Sequence, residues 1–331
     1  MLKLGLLGAG FMGKLHAACY PHVKEAQLVK VADVDLPRAQ EIAKTYNISA
    51  TQDPDEIITD PEIDIVDVCL PTYLHAEYVV KAAEAGKHVL CEKPIALTIE
   101  DAQQMVSAAQ DADVKFMVAH VVRFWPEYKR LKEIHDSKEL GHLRSLTLTR
   151  LAAFPTSEWY SDPQKSGGAM LDLHIHDADF LLYLLGKPEW VFTQGTANRM
   201  ITMYGYPGVK LVTAEGGFMP SSKFSFRMAF RAVFERGIVD FNSLNSPSFL
   251  VYRGNEEPKS WESTPPQEIE GDYGGNISVA WPYLFEIQYF VDCVKNGKEP
   301  EIASGKSGKE ALQLILAEKE SLTTGKETIF Q

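Results

Sequence analysis

The stretch LKLGLLGAGFMG, residues 2 to 13, is an apolar run that breaks straight into spaced glycines. Leu2 to Leu7 has the length and composition of a buried strand, and Gly8-Ala-Gly10-Phe-Met-Gly13 follows it directly and opens a helix running to about Tyr20. Each glycine has its own physical task. Gly8 allows the tight turn, Gly10 lets the backbone approach a pyrophosphate, and Gly13 permits close packing of helix on strand. The amides at the start of that helix, around Phe11 and Met12, then face the phosphates. Lys3 followed by apolar residues also has the outline of a signal peptide, but the run is short and ends in glycines, which favours the strand.

Working outward, Leu28 to Ala32 is a second strand, ending in Asp33 about twenty residues beyond the glycine loop. A carboxylate there accepts hydrogen bonds from both hydroxyls of an adenosine ribose and repels a 2′-phosphate. The arrangement predicts NAD in preference to NADP, with Arg38 as the nearby group able to accommodate the extra phosphate.

Strands and helices then alternate: helix Pro37 to Tyr46, strand Ile63 to Leu70, helix Ala76 to Ala85, strand Val89 to Cys91, helix Thr98 to Asp111 capped by Thr98, and strand Lys115 to Ala119. This is the sequence form of a parallel sheet with crossover helices, so residues 1–120 are expected to form an α/β Rossmann dinucleotide-binding domain. Such sheets hold ligands at the carboxyl ends of their strands. Pro71, Thr72 and His75 follow one strand end and Glu92-Lys93-Pro94 the next, which assigns them to the cofactor crevice. Beside a bound nicotinamide, Lys93 reads as a donor to a reacting hydroxyl; elsewhere it is a solvated surface charge.

Residues 121–331 are expected to form a second, α+β domain for substrate and oligomerisation. A helix, Pro126 to Ser137, is closed by Gly141, and strand-like alternation follows in Leu143 to Leu151, Trp190 to Ala197, Leu211 to Gly216, Phe224 to Phe234, Ile238 to Asn242 and Phe249 to Tyr252. A partly apolar outer face on such a sheet predicts assembly of several copies. Within this half, GGAMLDLHIHDAD at residues 167 to 179 packs titratable groups into an apolar helical pattern. A helix from Ala169 to Leu185, ended by Gly186 and Pro188, places Asp172 and His176 on one face and continues that face at Asp179. His174 lies on another face, lining the pocket or serving the structure. Because the directions of these side chains scatter around the axis, no metal is expected.

Other candidates for substrate contact are Arg123, placed either to brace the lysine loop or the nicotinamide edge or to form a surface salt bridge, and the loop residues Trp159, Tyr160, Tyr273 and Asn276. Tyr283, near the start of a helix reaching Lys295, joins them. Aromatic rings cover the C–H faces of a polyol and amides bond its hydroxyls, although such residues often only pack. Ser304-Gly-Lys-Ser-Gly308 lacks the spacing of a phosphate-binding P-loop and leads into a last helix, Lys309 to Thr323.

A formal net charge of −12 argues against nucleic acid and anionic membranes as partners. No run approaches the roughly eighteen apolar residues of a membrane span. The four cysteines show no paired spacing for zinc or redox chemistry, so they are read as reduced thiols in a cytoplasmic protein.

Taken together, Gly8-Ala-Gly10-Phe-Met-Gly13, Pro71-Thr72-Tyr-Leu-His75, Glu92-Lys93-Pro94, Gly167-Gly168 with Asp172 and His176, and Gly297-Lys-Glu-Pro300 resemble the glucose-fructose oxidoreductase, inositol dehydrogenase and rhizopine-catabolism (Gfo/Idh/MocA) dehydrogenases. The resemblance covers nearly the whole chain. It implies an open, mostly antiparallel sheet in the second domain, subunit contacts through that sheet in a dimer or tetramer, and a cis bond at Lys93-Pro94. It also implies a catalytic trio: Lys93 polarising the substrate oxygen, Asp172 binding a neighbouring hydroxyl, and His176 as general base or acid. The expected activity is NAD-dependent oxidation of a secondary hydroxyl of a cyclic polyol, sugar or sugar derivative, with hydride passing to the nicotinamide C4. Alternatives are an NAD-assisted glycoside hydrolase or eliminase working by transient oxidation, and a non-catalytic dinucleotide or sugar sensor. One departure stands out: the family commonly has glycine where this chain has His174.

Overall fold

The structure, a computed structural model, describes residues 1–155, 162–264, 269 and 279–330. It divides into two compact units, the first built from Met1–Phe124 and Pro265–Lys309, the second from Trp125–Thr264 and Glu310–Gln331. The chain therefore returns to its first unit late, whereas the sequence reading assigned everything after residue 120 to the second.

In the first unit, β1 (Leu2–Leu7) passes through the glycine loop into α1 (Phe11–Cys19), then β2 (Ala26–Ala32), α2 (Leu36–Tyr46), β3 (Ser49–Thr51) and α3 (Asp55–Ile58). The second half continues with β4 (Ile65–Val68), α4 (His75–Glu84), β5 (His88–Glu92), α5 (Ile99–Asp111) and β6 (Phe116–Ala119). All six strands are parallel, in the order β3-β2-β1-β4-β5-β6. The order reverses between β1 and β4, which opens a crevice at the carboxyl ends of those strands. β4 is buried along its whole length, as a strand covered on both faces must be. Thr98 caps α5, its Oγ1 accepting the Asp101 amide at 3.1 Å.

In the second unit, α6 (Pro126–Ser137) leads to the long strand β7 (Leu143–Ala153), the short α7 (Pro163–Ser166) and, after a distorted turn, α8 (Ile175–Leu185). Lys138, in the left-handed region at φ 54°, ends α6 before Gly141 is reached. The strands β8 (Trp190–Thr196), β9 (Arg199–Gly205), β10 (Leu211–Met219), β11 (Arg227–Phe234), β12 (Gly237–Asn242), β13 (Phe249–Tyr252) and β14 (Lys259–Ser260) follow. The chain then enters α9 (Trp281–Lys295) in the first unit, and α10 (Gly305–Thr324) carries it to β15 (Thr328–Ile329) in the second. The nine strands form one open sheet ordered β14-β13-β12-β11-β7-β10-β9-β8-β15, in which only the β7–β10 pair is parallel among the described residues.

One face of this sheet is held to α6 and α8 by an aromatic cluster. The Tyr128 ring lies 4.7 Å from Phe180 and 5.0 Å from Phe230, both edge-on. On the other face Ile201, Met203 and Leu211 remain 42–48% exposed, alternating with buried neighbours along β9 and β10. The Ser304–Gly308 stretch begins α10 and supplies packing: β-carbons on Gly305 and Gly308 would stand 2.4 Å and 2.7 Å from Phe116 and Val118 of β6. No helix of the described residues is long and apolar enough to cross a membrane.

Candidate active site

The glycine loop has the geometry its spacing predicts. Gly8 adopts φ +99°, and a β-carbon there would stand 2.4 Å from the Cys69 carbonyl oxygen. A β-carbon on Gly13 would strike the Gly8 carbonyl oxygen at 1.9 Å, whereas one on Gly10 would meet nothing within 4 Å. The turn is thus closed toward the protein and open toward a ligand. No side chain caps α1, so the first-turn amides at Phe11 and Met12 are left to a ligand or solvent. Asp33 carries the loop: its Oδ2 accepts the Ala9 amide at 2.7 Å and its Oδ1 the Asp35 amide at 2.8 Å. Arg38 pairs with Asp35 at 3.0 Å and is largely exposed. An open Gly10, an uncapped helix start and an anchored Asp33 fit a dinucleotide pyrophosphate and adenosine ribose.

The neighbouring strand ends are more tightly braced than the sequence suggests. Pro71 and the buried Thr72 begin a single 3₁₀ turn. His75, expected at the cofactor, is 1% exposed, with Nδ1 2.9 Å from the Pro94 carbonyl and Nε2 2.8 Å from the Leu70 carbonyl. Burial holds this imidazole below its usual range. His75 therefore ties the loop after β4 to the loop after β5. Glu92, also expected at the cofactor, is buried and accepts the Lys93 amide on Oε2 at 3.0 Å. The Lys93-Pro94 bond is cis and Lys93 itself is half-buried. Arg123 lies 4% exposed inside the first unit, donating to the Ile302 carbonyl and to Ser307 Oγ, so it clamps the returning segment and does not line an open surface. Tyr283 is likewise buried, its ring centroid 6.3 Å from that of His16. Trp159, Tyr160, Tyr273 and Asn276 lie outside the described residues.

In the second unit, Gly167 and Gly168 both adopt left-handed φ, at +70° and +71°, and turn the chain into the segment that carries Asp172 and His176. The helix expected from Ala169 is not uniform. Met170–His174 form a π-turn, and regular α-helix starts only at Ile175. Such wide turns concentrate at functional sites. From Ala169 to Leu181 every residue is buried except Asp172 and His176, both half-buried. Asp179, expected to continue their face, is fully buried, whereas Asp172 and His176 are half-buried. Asp177 is buried too, and Arg150 of β7 grips its carboxylate through Nε at 3.1 Å and Nη2 at 2.9 Å. The same Nη2 donates to Tyr128 Oη at 3.1 Å.

His174 belongs to the structure and not to an open pocket wall. It is fully buried, its Nε2 2.9 Å from Glu318 Oε2 on α10. Tyr204 Oη donates to Glu318 Oε1 at 2.8 Å and Thr202 Oγ1 to Oε2 at 3.0 Å, so every strong donor around this carboxylate is itself buried. Burial works against a charge on His174, but Glu318 outweighs it and holds the imidazole above its usual range. Sequence reading missed Arg150 and Glu318; a charged residue in the buried phase of an apolar strand or helix was the available signal.

Two family models match the chain: the oxidoreductase family with an NAD-binding Rossmann fold over residues 2–120, and the GFO/IDH/MocA C-terminal domain over residues 128–230. A myo-inositol 2-dehydrogenase of Thermotoga maritima is 31% identical over 333 residues, covering 97% of this chain and 96% of its own. A levoglucosan dehydrogenase of Pseudarthrobacter phenanthrenivorans is 33% identical over 243 residues, covering 63% of this chain and 60% of its own. In fold, the chain is similar to a solved levoglucosan dehydrogenase in complex with NADH and levoglucosan, at a TM-score of 0.88 and 24% identity over 100% of this chain and 99% of that one.

Proposed function

The chain belongs to the GFO/IDH/MocA family of NAD-binding oxidoreductases, and from that premise we propose that it is an NAD-dependent dehydrogenase for a secondary hydroxyl of a cyclic polyol, sugar or sugar derivative. The observation that carries this reading is the burial pattern from Ala169 to Leu181, in which Asp172 and His176 alone are half-buried and every other residue is buried. A carboxylate and an imidazole both half-buried there suit a substrate that presents adjacent hydroxyls, one to be held and one to lose its proton.

Bound NAD supplies the hydride acceptor. His176 takes the hydroxyl proton on an imidazole nitrogen and returns it in the reverse direction. Asp172 accepts a hydrogen bond from a neighbouring hydroxyl and fixes the ring. Lys93, on its braced loop, donates from its ammonium to the reacting oxygen and stabilises the negative charge that develops as the proton leaves. Asp33 favours a free ribose 2′-hydroxyl, hence NAD over NADP, and Phe11 and Met12 contribute amides to the phosphates. The exposed apolar side chains Ile201, Met203 and Leu211 support assembly of copies through the outer sheet face, which light scattering on the purified protein tests.

The test is a panel of inositols, aldoses, glycosides and anhydrosugars with NAD, read by NADH absorbance. Net NADH formation with a cyclic hydroxyl compound is the expected result. Turnover of a glycoside without net NADH would replace the reading with a transient-oxidation hydrolase or eliminase. Tight NADH binding with no turnover of any panel member would replace it with a sensor.

A further inference from the structure

Beneath the glycine loop the first unit holds titratable side chains that this chemistry does not use. His16, on α1 within a turn of Gly13, is fully buried. Its Nδ1 lies 2.8 Å from Asp67 Oδ2 and 3.4 Å from Cys69 Sγ, while its Nε2 lies 3.2 Å from Glu92 Oε1, within ion-pair distance but off the line of a good hydrogen bond. Tyr20 Oη donates to the same Asp67 oxygen at 2.6 Å. The other oxygen of Glu92 accepts the Lys93 amide at 3.0 Å. One imidazole therefore stands between two carboxylates, and the second of these holds the backbone of the lysine.

Stability alone does not account for this arrangement, since apolar side chains of similar volume are often at least as stabilising as a buried ionic group. What a cation between two carboxylates does add is a defined position for each. Burial by itself would strip the proton from His16, but Asp67, and after it Cys69, outweigh that cost and hold the imidazole well above its usual range. A charged ring carries N–H groups on both sides, so it serves Asp67 and faces Glu92 at once. The line of contacts runs from the helix that begins at the glycine loop, through His16 and Glu92, to the amide of Lys93.

We propose that His16 is a positioning residue for Lys93, fixing the lysine loop through Glu92 so that the helix opened by the dinucleotide-binding glycines also sets the place of the lysine. The inference rests on the reading of Lys93 as the substrate-polarising residue. Misplacement of a reacting group by about 1 Å costs on the order of a hundredfold in rate, so a link of this kind acts on turnover more than on binding.

The experiment compares the full-length protein with His16→Gln, Glu92→Gln and the double variant. Gln at position 92 keeps an acceptor for the Lys93 amide and removes only the charge. With the substrate found in the panel, each single change is expected to lower kcat about tenfold or more while KM stays within about threefold. The double variant should fall no further than the worse single one, because both changes break the same link. A second readout needs no substrate: the rate at which trinitrobenzenesulfonate labels Lys93, followed by peptide mass spectrometry with NADH present. That rate should change severalfold in both variants, with the exposed Lys223 as an internal standard. Unchanged Lys93 labelling in the folded variants, or fully additive losses in kcat, would overturn the proposal. If His16→Gln does not fold, Glu92→Gln carries the labelling test alone. Altered labelling in a protein that oxidises nothing in the panel would support the positioning role while removing the dehydrogenase reading, so the two fail separately.

Discussion

Gly216 of β10 and His174 of the π-turn are fitted to each other: a β-carbon on Gly216 would stand 2.4 Å from Nδ1 and 3.0 Å from both Cβ and Cγ of the histidine. The glycine supplies room and not backbone freedom, because its φ lies outside the left-handed region. On another side of the ring, Glu318 provides the counter-charge at 2.9 Å. His174 thus comes with a glycine facing it and a carboxylate to pair it.

This fit predicts non-additive stability. Gly216→Ala alone overpacks the contact and should cost about 1–3 kcal/mol. His174→Gly removes the partner of a buried carboxylate and should cost about 3 kcal/mol, at the low end for such a loss because Tyr204 and Thr202 still donate to Glu318. In the double variant the alanine fills space the ring has left, so urea denaturation should show a smaller loss than the sum. Strict additivity would sink the idea of a mutual fit.

Alkaline pH should loosen the second unit. His174 is held above the usual imidazole range, burial opposing the charge and Glu318 outweighing it, with Tyr204, Asp177 and Arg150 as the other groups facing the ring. A pKa raised in the folded state gives stabilisation that is complete below the unfolded value, about 6.5, and is lost as pH rises through the folded value. Melting temperature should therefore decline from about pH 7 upward, and the decline should be shallower in His174→Gly. Equal slopes for the two proteins would assign the alkaline loss to other groups; His16, raised in the same direction by Asp67 and Cys69 against its own burial, is the first to test.

Replacing His176 separates chemistry from binding. Alanine is readily accommodated in the first turn of α8, and the side chain is half-buried, so His176→Ala should fold normally. Turnover should drop by about 10²–10⁴, with NADH affinity by fluorescence titration changed less than about threefold. Wild-type turnover in the variant would take His176 out of the proton transfer.

Asp33→Ala acts on the cofactor twice, removing the ribose acceptor and releasing the Ala9 amide from its 2.7 Å bond to the carboxylate. NAD affinity should fall by about tenfold or more, and the ratio of NAD to NADP affinity should move toward unity. An unaltered ratio would show that Asp33 holds the loop without reading the ribose.

The first unit was legible because its signals are local. The glycine loop, the acid after β2 and the capped helix at Thr98 each depend on residues a few positions apart, and each is found where the sequence puts it. The π-turn was not legible, because hydrophobic spacing near 3.6 persists through Met170–His174 while the hydrogen-bond pattern changes. β9 escaped because Ile201 and Met203 on its outer face are as apolar as Met200 and Tyr204 inside, which erases the alternation a strand is recognised by. The contacts of His75, Glu92 and Arg123 with the Pro94 carbonyl, the buried His16 and the Ile302 carbonyl join residues far apart in the chain, which no local pattern reveals.

The split make-up of the first unit bears on how the polypeptide matures during synthesis. When the ribosome has released only Met1–Phe124, α1 still lacks the helix that covers it: Cys19 has no Ala280 carbonyl to meet and Lys24 no Gln288. The buried His16 then has no Tyr283 ring beside it. A nascent chain therefore carries an unfinished nucleotide-binding half until residues near Lys309 emerge, and the second unit likewise waits for its closing residues from Glu310 onward. Folding of both halves is deferred until these late segments have emerged, which makes a cut between them at Phe124 a poor way to obtain either alone.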